Sequence, residues 1–222
     1  MRKFLLKIKN RSHLLFVLFH ILNIFLSKYV FFKSHNKFIY NTKMRYNVKR
    51  FVQGKNNIIK LGTNTLILNS EFRIIGNNNQ IIIGNNCQIG DKCSFWCEGN
   101  NCSIIIDDDC TFTLNVHLFS QEDYQSIKIG KDCMLSNNII IRTSDSHPIY
   151  NDYNKRVNMA RSIFIGEHVW ICPHSTIMKG VNIGKGCIIG SNSIVTKNID
   201  KESLALGMPA RVLKRVRWER NI

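Results

Sequence analysis

The first seventy residues contain no aspartate and no glutamate, although they contain fourteen lysines and arginines. From Glu71 onward, 17 basic residues accompany 15 acidic ones, so the rest of the chain is nearly neutral. The formal net charge of +16 therefore resides in the N-terminal third of the 222 residues. Because a nucleic-acid-binding domain carries its positive charge on its own surface, this distribution argues against nucleic acid as a partner of the main domain.

The N-terminal segment also lacks an uncharged apolar run long enough for a typical membrane-spanning helix. Its apolar stretch from Leu14 to Leu26 is interrupted by His20 and Asn23 and ends before Lys28, whereas a spanning helix needs about 20 mostly apolar residues. No small-residue cleavage site of a signal peptide follows it. We expect a helix that lies on the anionic cytoplasmic face of a membrane, in an otherwise cytoplasmic protein. Packing on the protein itself or on a neighbouring subunit, and a single span, remain alternatives.

What the chain does contain is a period of six residues. Aliphatic side chains recur at this interval in one long series and two shorter ones: Ile165, Ile171, Ile177, Ile183, Ile189, Val195; Ile83, Ile89, Phe95; and Ile129, Leu135, Ile141. An α-helix cannot keep such positions on one face, but short strands joined by tight turns at glycine and asparagine can. The pattern predicts an all-β fold, a parallel β-helix with three faces per coil that grows by stacking.

The eight cysteines fit the repeat better than they fit a metal site. No two of them are separated by two residues, so a zinc site has no support. Six occupy the slot four residues after a repeat position, where other coils have small side chains: Cys87, Cys93, Cys102, Cys110, Cys133 and Cys187. We expect these six to be slim apolar core residues. Free thiols also favour a reducing, cytosolic compartment.

One long polar stretch interrupts the repeat between Ile141 and Ile163. A β-helix does not require such a stretch, and long loops in compact folds are usually functional. We therefore predict a functional loop at residues 142–162. It contains His147, preceded by Asp145. A single histidine in a loop would be unremarkable by itself.

The order of motifs around this loop adds a family resemblance. The motifs are Asp-Ser-His-Pro-Ile (145–149), Ile-Phe-Ile-Gly-Glu-His-Val-Trp-Ile (163–171), Val-Asn-Ile-Gly (181–184), Ser-Ile-Val-Thr-Lys (193–197) and Gly-Met-Pro-Ala-Arg-Val-Leu-Lys (207–214). Over about residues 72–216 the chain resembles the sugar and capsular polysaccharide O-acetyltransferases of the hexapeptide-repeat acyltransferase superfamily. The resemblance implies a left-handed β-helix, a homotrimer and acetyl-CoA as co-substrate.

The resemblance also implies that His147 is the catalytic base. A sugar hydroxyl is a poor nucleophile at neutral pH, and a base with a pKa near the working pH accelerates its attack by roughly 100- to 10,000-fold. Asp145 could orient the imidazole, as the acid does in a catalytic triad. A solvated carboxylate that caps a turn is the alternative for Asp145.

Three further residues are candidates for the acceptor cleft. Trp170 precedes a core isoleucine, so its side chain should point outward. By resemblance it lines the donor or acceptor cleft, and packing between subunits is the alternative. His117 and Arg142 could line the same cleft from neighbouring coils.

The donor would lie along the outer groove of the C-terminal coils. Lys197 and Arg211 match family positions near the nucleotide of acetyl-CoA, and the register of the repeat adds Lys179. For all three residues, the alternative is that they form a solvated basic face that binds no ligand. His168 and His174 are six residues apart, but no third histidine completes a set, so we expect no metal.

The sequence thus divides into a basic apolar segment (1–60) with a helix, a β-helix domain (61–200) and a C-terminal tail (201–222). The predicted activity is direct transfer of an acetyl group from acetyl-CoA to a hydroxyl of a surface polysaccharide or lipid-linked glycan. Two alternatives remain, an N-acetyltransferase acting on an amino-sugar nucleotide and a non-catalytic β-helix scaffold.

Overall fold

The computed structural model describes residues 35–40 and 44–220. These residues form 21 β-strands and no helix, so nothing in this part of the chain has the length and apolar character of a membrane-crossing helix. The helix predicted around residues 14–26 lies outside the described residues. The predicted β-helix is confirmed, because parallel strands stack into a three-sided prism.

Each face of the prism is a ladder of strands from successive coils. Face 1 consists of β1 (Lys37–Tyr40), β4 (Ile58–Leu61), β7 (Gln80–Ile83), β10 (Ser103–Ile106), β12 (Ser126–Ile129), β14 (Ile163–Ile165) and β17 (Asn182–Ile183). Face 2 consists of β2 (Met44–Tyr46), β5 (Leu66–Leu68), β8 (Gln88–Asp91), the first halves of β11 (Thr111–Gln121) and β13 (Met134–Arg142), then β15 (Trp170–Ile171), β18 (Ile188–Ile189) and β20 (Ser203–Gly207). Face 3 consists of β3 (Lys49–Gln53), β6 (Glu71–Ile75), β9 (Ser94–Glu98), the second halves of β11 and β13, then β16 (Thr176–Ile177) and β19 (Ile194–Val195). A final strand, β21 (Ala210–Arg215), returns antiparallel to β20.

The coils differ in length along the prism. Trp170 pairs with Ile188, one coil of 18 residues later, whereas Gln80 pairs with Ser103, one coil of 23 residues later. The early coils have a longer corner between face 3 and face 1, and this corner hides the period of six. Among the described residues, the first strand of the stack begins at Lys37, which pairs with Ile58. The boundary predicted at residue 61 therefore falls inside the coils and moves toward the N-terminus.

The prism interior contains the residues that the period predicted. Every aliphatic and aromatic side chain of the three series is at most 3% exposed. All eight cysteines are buried and unpaired, which agrees with a role as core residues. Their slim side chains fit beside the next coil, where the Cys133 Sγ lies 3.1 Å from the carbonyl oxygen of Gly166.

Asparagine and glycine form the corners because the chain must adopt positive φ there. Gly76 has a φ of +119°, and a Cβ on it would lie 1.9 Å from the carbonyl oxygen of Gly99 in the next coil. Buried asparagines run beside this glycine column, and Asn57 Nδ2 donates to the Gly76 carbonyl at 2.9 Å. The corners thus bring the coils close enough for backbone pairing on all three faces.

Candidate active site

In the part of the chain that the structure describes, the coils open once, between Arg142 at the end of β13 and Ile163 at the start of β14. Ile127 pairs with Ile163, 36 residues later, so the loop adds an excursion to the coil instead of replacing a strand. The predicted loop therefore projects from the corner between faces 3 and 1, outside the strands of the coil. Its tip closes on itself through an antiparallel bridge between Tyr150 and Arg156.

The first turn of this loop is anchored to the preceding coil. Thr143 is buried, and its hydroxyl accepts a hydrogen bond from the Gln121 backbone N–H at 2.8 Å. Ser144 Oγ donates to Glu122 Oε1 at 2.5 Å, and Arg156 Nη2 donates to the same oxygen at 2.6 Å. The Arg156 guanidinium is the main reason that the pKa of Glu122 is lowered. These contacts fix the loop at both of its ends.

Asn158 holds the backbone on either side of His147. Its side chain is 8% exposed, and its Nδ2 donates to the His147 carbonyl oxygen at 2.7 Å. Its Oδ1 accepts a hydrogen bond from the Ile149 backbone N–H, also at 2.7 Å. Asn158 is a buried amide whose donor and acceptor both bind this short stretch. Nothing in the local sequence pattern distinguishes Asn158 from other loop asparagines, so it was not among the predicted residues.

Asp145 has a different partner from the one predicted. Its carboxylate pairs with the Lys179 ammonium and accepts a hydrogen bond from Asn158 Nδ2 at 3.0 Å. The Lys179 hydrogen bond is the largest cause of a lowered pKa at Asp145. Within the described residues, no hydrogen bond joins this carboxylate to the imidazole of His147. Asp145 therefore positions the loop, and it does not hold the ring.

The contacts of Lys179 correct its predicted place beside the donor. Its ammonium also donates to the Asn158 carbonyl oxygen at 3.0 Å, and its side chain is mostly buried. The positive charge of Lys179 is thus paired with Asp145 beneath the loop, so this lysine does not face a donor phosphate. The register of the repeat could not reveal this, because the loop that covers Lys179 lies outside the repeat.

The His147 side chain itself is exposed at the surface of the loop. Its imidazole has no hydrogen-bond partner among the residues that the structure describes, although its backbone is fixed by Asn158. A histidine with a rigid backbone and a free ring is suited to accept a proton from a ligand. Its catalytic role stays a prediction.

His117 and Arg142 converge on one aromatic ring, that of Phe119. The His117 ring stacks on Phe119 with centroids 5.9 Å apart, and the Arg142 guanidinium carbon lies 5.8 Å from the Phe119 centroid. Burial lowers the pKa of His117, and its Nε2 lies 2.8 Å from Asn115 Oδ1. This arrangement on face 3 leads directly to the first residue of the loop. Phe119 was missed because its side-chain direction depends on the coil register.

Trp170 lies on face 2, and its indole Nε1 donates to Ser136 Oγ at 3.4 Å; its place in a donor or acceptor cleft stays a prediction. The C-terminal tail returns to this face and places Trp218 beside it, with ring centroids 5.8 Å apart. Trp218 also stacks on the His168 ring, with centroids 3.9 Å apart. The Nδ1 atom of that imidazole lies 2.6 Å from Asp132 Oδ2. The tail residue Trp218 is thus part of the same surface as Trp170.

The remaining predicted residues lie near the C-terminal end of the prism. Lys197 and Arg211 are exposed, and the Arg211 guanidinium donates to the backbone carbonyl of Ala210 at 2.9 Å. His174 faces Asn138 and so does not share a partner with His168. No group of three or more histidine, cysteine or acidic side chains suitable for a metal occurs within residues 35–40 and 44–220.

Comparison with known proteins identifies a matching family and similar solved structures. The bacterial transferase hexapeptide family (six repeats) matches residues 162–197. The crystal structure of the polysialic acid-specific acetyltransferase NeuO is 31% identical, with a TM-score of 0.76 over 85% of this chain and 80% of NeuO. The polysialic acid O-acetyltransferase OatWY is 30% identical, with a TM-score of 0.77 over 85% of this chain and 89% of OatWY. The chain belongs to the hexapeptide-repeat acyltransferase family. Its fold is the left-handed parallel β-helix of these enzymes.

A curated relative of this hexapeptide-repeat protein matches a shorter part of the chain. The galactoside O-acetyltransferase of Escherichia coli (strain K12) is 41% identical over 71 residues, which are 32% of this chain. The chain thus spans about a third (35%) of the length of that curated relative.

Proposed function

We propose that this protein transfers an acetyl group from acetyl-CoA to a hydroxyl group of a polysaccharide. The observation that carries the proposal is the similarity over 85% of the chain to two proteins named as polysialic acid acetyltransferases. The loop supports it, because its histidine has an exposed ring on a backbone held by Asn158. Family membership by itself would leave the acceptor open, since the relatives include a galactoside O-acetyltransferase.

In the proposed reaction, His147 takes the proton of the acceptor hydroxyl as the oxygen attacks the thioester carbonyl. A carbon–oxygen bond forms, the carbon–sulfur bond breaks, and the proton passes from the imidazole to the departing thiolate. The free His147 ring suits this role, since a base must be within hydrogen-bond reach of the proton it removes. Asp145 and Lys179 contribute by holding the loop, and no acyl-enzyme is required.

For the donor, Trp170 would line the cleft, and Lys197 and Arg211 would hold the phosphates. Both cations are exposed and have no carboxylate partner among the described residues, so they fit an anionic nucleotide. Charge-assisted bonds to phosphate contribute roughly 1.5–3 kcal/mol when well shielded. Losing the exposed Arg211 should raise the acetyl-CoA KM at most about tenfold with a smaller change in kcat. An unchanged KM in both Arg211→Ala and Lys197→Ala would place the donor elsewhere.

We also propose that the protein works as a homotrimer in the cytoplasm, at the inner face of the membrane. Residues 1–34 lie outside the described structure, and the proposal for them rests on their bases and apolar run. Flotation with anionic vesicles should decline with added salt. Equal flotation of a chain that begins at Lys33 would contradict membrane attachment by this segment.

The test of the activity is a purified enzyme assay with acetyl-CoA and a panel of acceptors. The panel contains polysialic acid, galactosides and amino-sugar nucleotides, and thiol release and the acetylated product are both measured. We expect transfer to a hydroxyl acceptor and less than about a tenth of wild-type turnover in His147→Ala. His174→Ala is the matched control, because this exposed histidine lies on a coil corner beside Asn138. Transfer to amino-sugar nucleotides alone would contradict the proposal.

A further inference from the structure

Face 3 carries a column of arginine and aromatic side chains on its outer surface. The strand register aligns one residue from each of five successive coils, one above another: Phe51, Arg73, Trp96, Phe119 and Arg142. We call this column the arginine–aromatic ladder. Neighbouring strands are about 4.8 Å apart, so the backbones of Arg73 and Arg142, three strands apart, are separated by roughly 14 Å.

Stacking contacts hold the lower part of the ladder in place. The Arg73 guanidinium carbon lies 4.7 Å from the Phe51 centroid and 5.0 Å from the Trp96 centroid, between the two rings. Trp96 meets Phe119 edge to face, with centroids 5.7 Å apart. Arginine and aromatic groups in this geometry attract each other and lose side-chain freedom. The ladder is therefore an ordered surface that a ligand would not have to organise.

Several polar groups of the ladder have no partner in the described part of the chain. The Nε atoms of Arg73 and Arg142 and the indole Nε1 of Trp96 are shielded from solvent and make no hydrogen bond there. Neither arginine forms an ion pair with a carboxylate of the described residues. A ligand cannot reach atoms that are shielded in this way, so these donors do not themselves mark a ligand contact. The two guanidinium charges without a carboxylate partner indicate that an anion from outside the described residues completes this face.

The position of the ladder connects it to the proposed reaction. Arg142 is the last residue of β13, and the loop that carries His147 begins immediately after it. The ladder extends from this point toward the N-terminal coils, in the opposite direction from Lys197 and Arg211. A chain bound along it would present one residue to His147 and lay the following residues over Phe119, Trp96 and Arg73.

The chemistry of the ladder favours an anionic, hydroxyl-rich occupant. Aromatic rings offer flat apolar area to the C–H faces of sugars, and guanidinium groups bind carboxylates through paired hydrogen bonds. Two acidic residues of face 3 lie near the ladder, but neither forms an ion pair with its arginines. Glu98, two residues after Trp96, accepts a hydrogen bond from Gln121 Nε2 at 2.9 Å, and Glu71 lies two residues before Arg73. The N-terminal residues 1–34 contain no acidic residue and so do not complement the arginines.

We propose that the arginine–aromatic ladder is an extended binding track for an acidic polysaccharide that feeds its acceptor residue to the loop. This proposal rests on the proposed acetyl transfer, and it specifies that the acceptor is a polymer with carboxylate groups. The Arg73 position binds the polymer several residues away from the one that reacts. The affinity should therefore grow with acceptor length.

Binding without acetyl-CoA tests the track independently of catalysis. Full-length protein is titrated with sialic acid oligomers of increasing length, with hyaluronan oligomers and with neutral dextran oligomers. We expect the affinity for one acidic series to rise with length and to fall with salt, with no such trend for dextran. Arg73→Gln and Trp96→Ala should each weaken binding of the long oligomers by about three- to tenfold. Lys60→Gln, on the outer surface of face 1, is the matched charge control and should bind as wild type does.

The outcomes separate this proposal from the proposed function. Acetylation of a hydroxyl acceptor with no effect of length or of Arg73→Gln on binding would overturn the track and leave the activity standing. Length-dependent binding without any acetyl transfer would support the track and contradict the activity. A change of oligomeric mass in Arg73→Gln, measured by light scattering, would show that the ladder is a contact between copies of the chain and would overturn the proposal.

Discussion

Replacing Asn158 tests whether the backbone around His147 must be held for the reaction. In Asn158→Ala the side-chain hydrogen bonds to the His147 carbonyl, the Ile149 N–H, the Asp145 carboxylate and the Arg156 Nε–H are lost. A hydrogen bond contributes about 0.5–1.5 kcal/mol net, so the four together stabilise the closed loop by about 2–6 kcal/mol. A misplaced catalytic group can lower turnover about a hundredfold. We expect kcat to fall by about ten- to a hundredfold.

The effect should be confined to the loop, because no coil hydrogen bond depends on Asn158. The melting temperature should change little, whereas proteolysis and amide exchange at residues 146–150 should become faster. The acetyl-CoA KM should stay near that of the wild type, since the predicted phosphate ligands lie in the C-terminal coils. Asn158→Asp keeps the acceptor for Ile149 but puts a carboxylate beside Asp145, so it should not restore activity.

Asn151→Ala is the matched control for this substitution. Asn151 is a loop asparagine whose Oδ1 accepts hydrogen bonds from the Tyr153 and Lys155 backbone N–H groups, and it does not touch His147. Its loss should leave most of the turnover intact. Wild-type kcat and wild-type protection of residues 146–150 in Asn158→Ala would refute the reasoning, because the loop would then be held by other contacts.

Three further predictions concern the loop, the corners and the core. The contact with Lys179, which is the main cause of the lowered pKa of Asp145, stabilises the loop above the ordinary aspartate pKa and is lost as pH falls through the lowered value. Asp145→Asn should reduce the acid dependence of loop proteolysis and leave the part that comes from Glu122, whose pKa is lowered chiefly by Arg156; an unchanged acid dependence would contradict this role of Asp145. Gly76→Ala places a side chain at positive φ against the Gly99 carbonyl and should lower the free energy of unfolding by about 2 kcal/mol or more in urea titrations; a neutral result would mean that the corner relaxes. Burial raises the pKa of Cys93 and of Cys102 to about 11, so a thiol reagent at pH 8 should label none of the eight buried cysteines until denaturant is added; rapid labelling of the native protein would contradict their core position.

The sequence by itself determined the coil and its interior. A repeat of six constrains neighbours within one coil, so Ile165 to Val195 and the slots of Cys133 and Cys187 could be assigned to the core without coordinates. The break after Ile141 located the loop for the same reason, since the absence of the six-residue repeat can be recognised in the amino-acid sequence. The early coils were harder to see, because their corners are longer and the period returns only every 22 or 23 residues.

Contacts between coils and contacts of the loop were decided only by the tertiary structure. Trp96 and Phe119 become neighbours because their strands pair in a register that places these two residues opposite each other, and a slip of that register by one residue would turn one of the two side chains toward the core. Asp145 meets Lys179, not the nearby His147, because the loop folds back over a coil that follows it by 34 residues. Trp218 reaches His168 from 50 residues away by the same kind of return. Pairings of this kind depend on where the backbone turns, which a sequence period does not record.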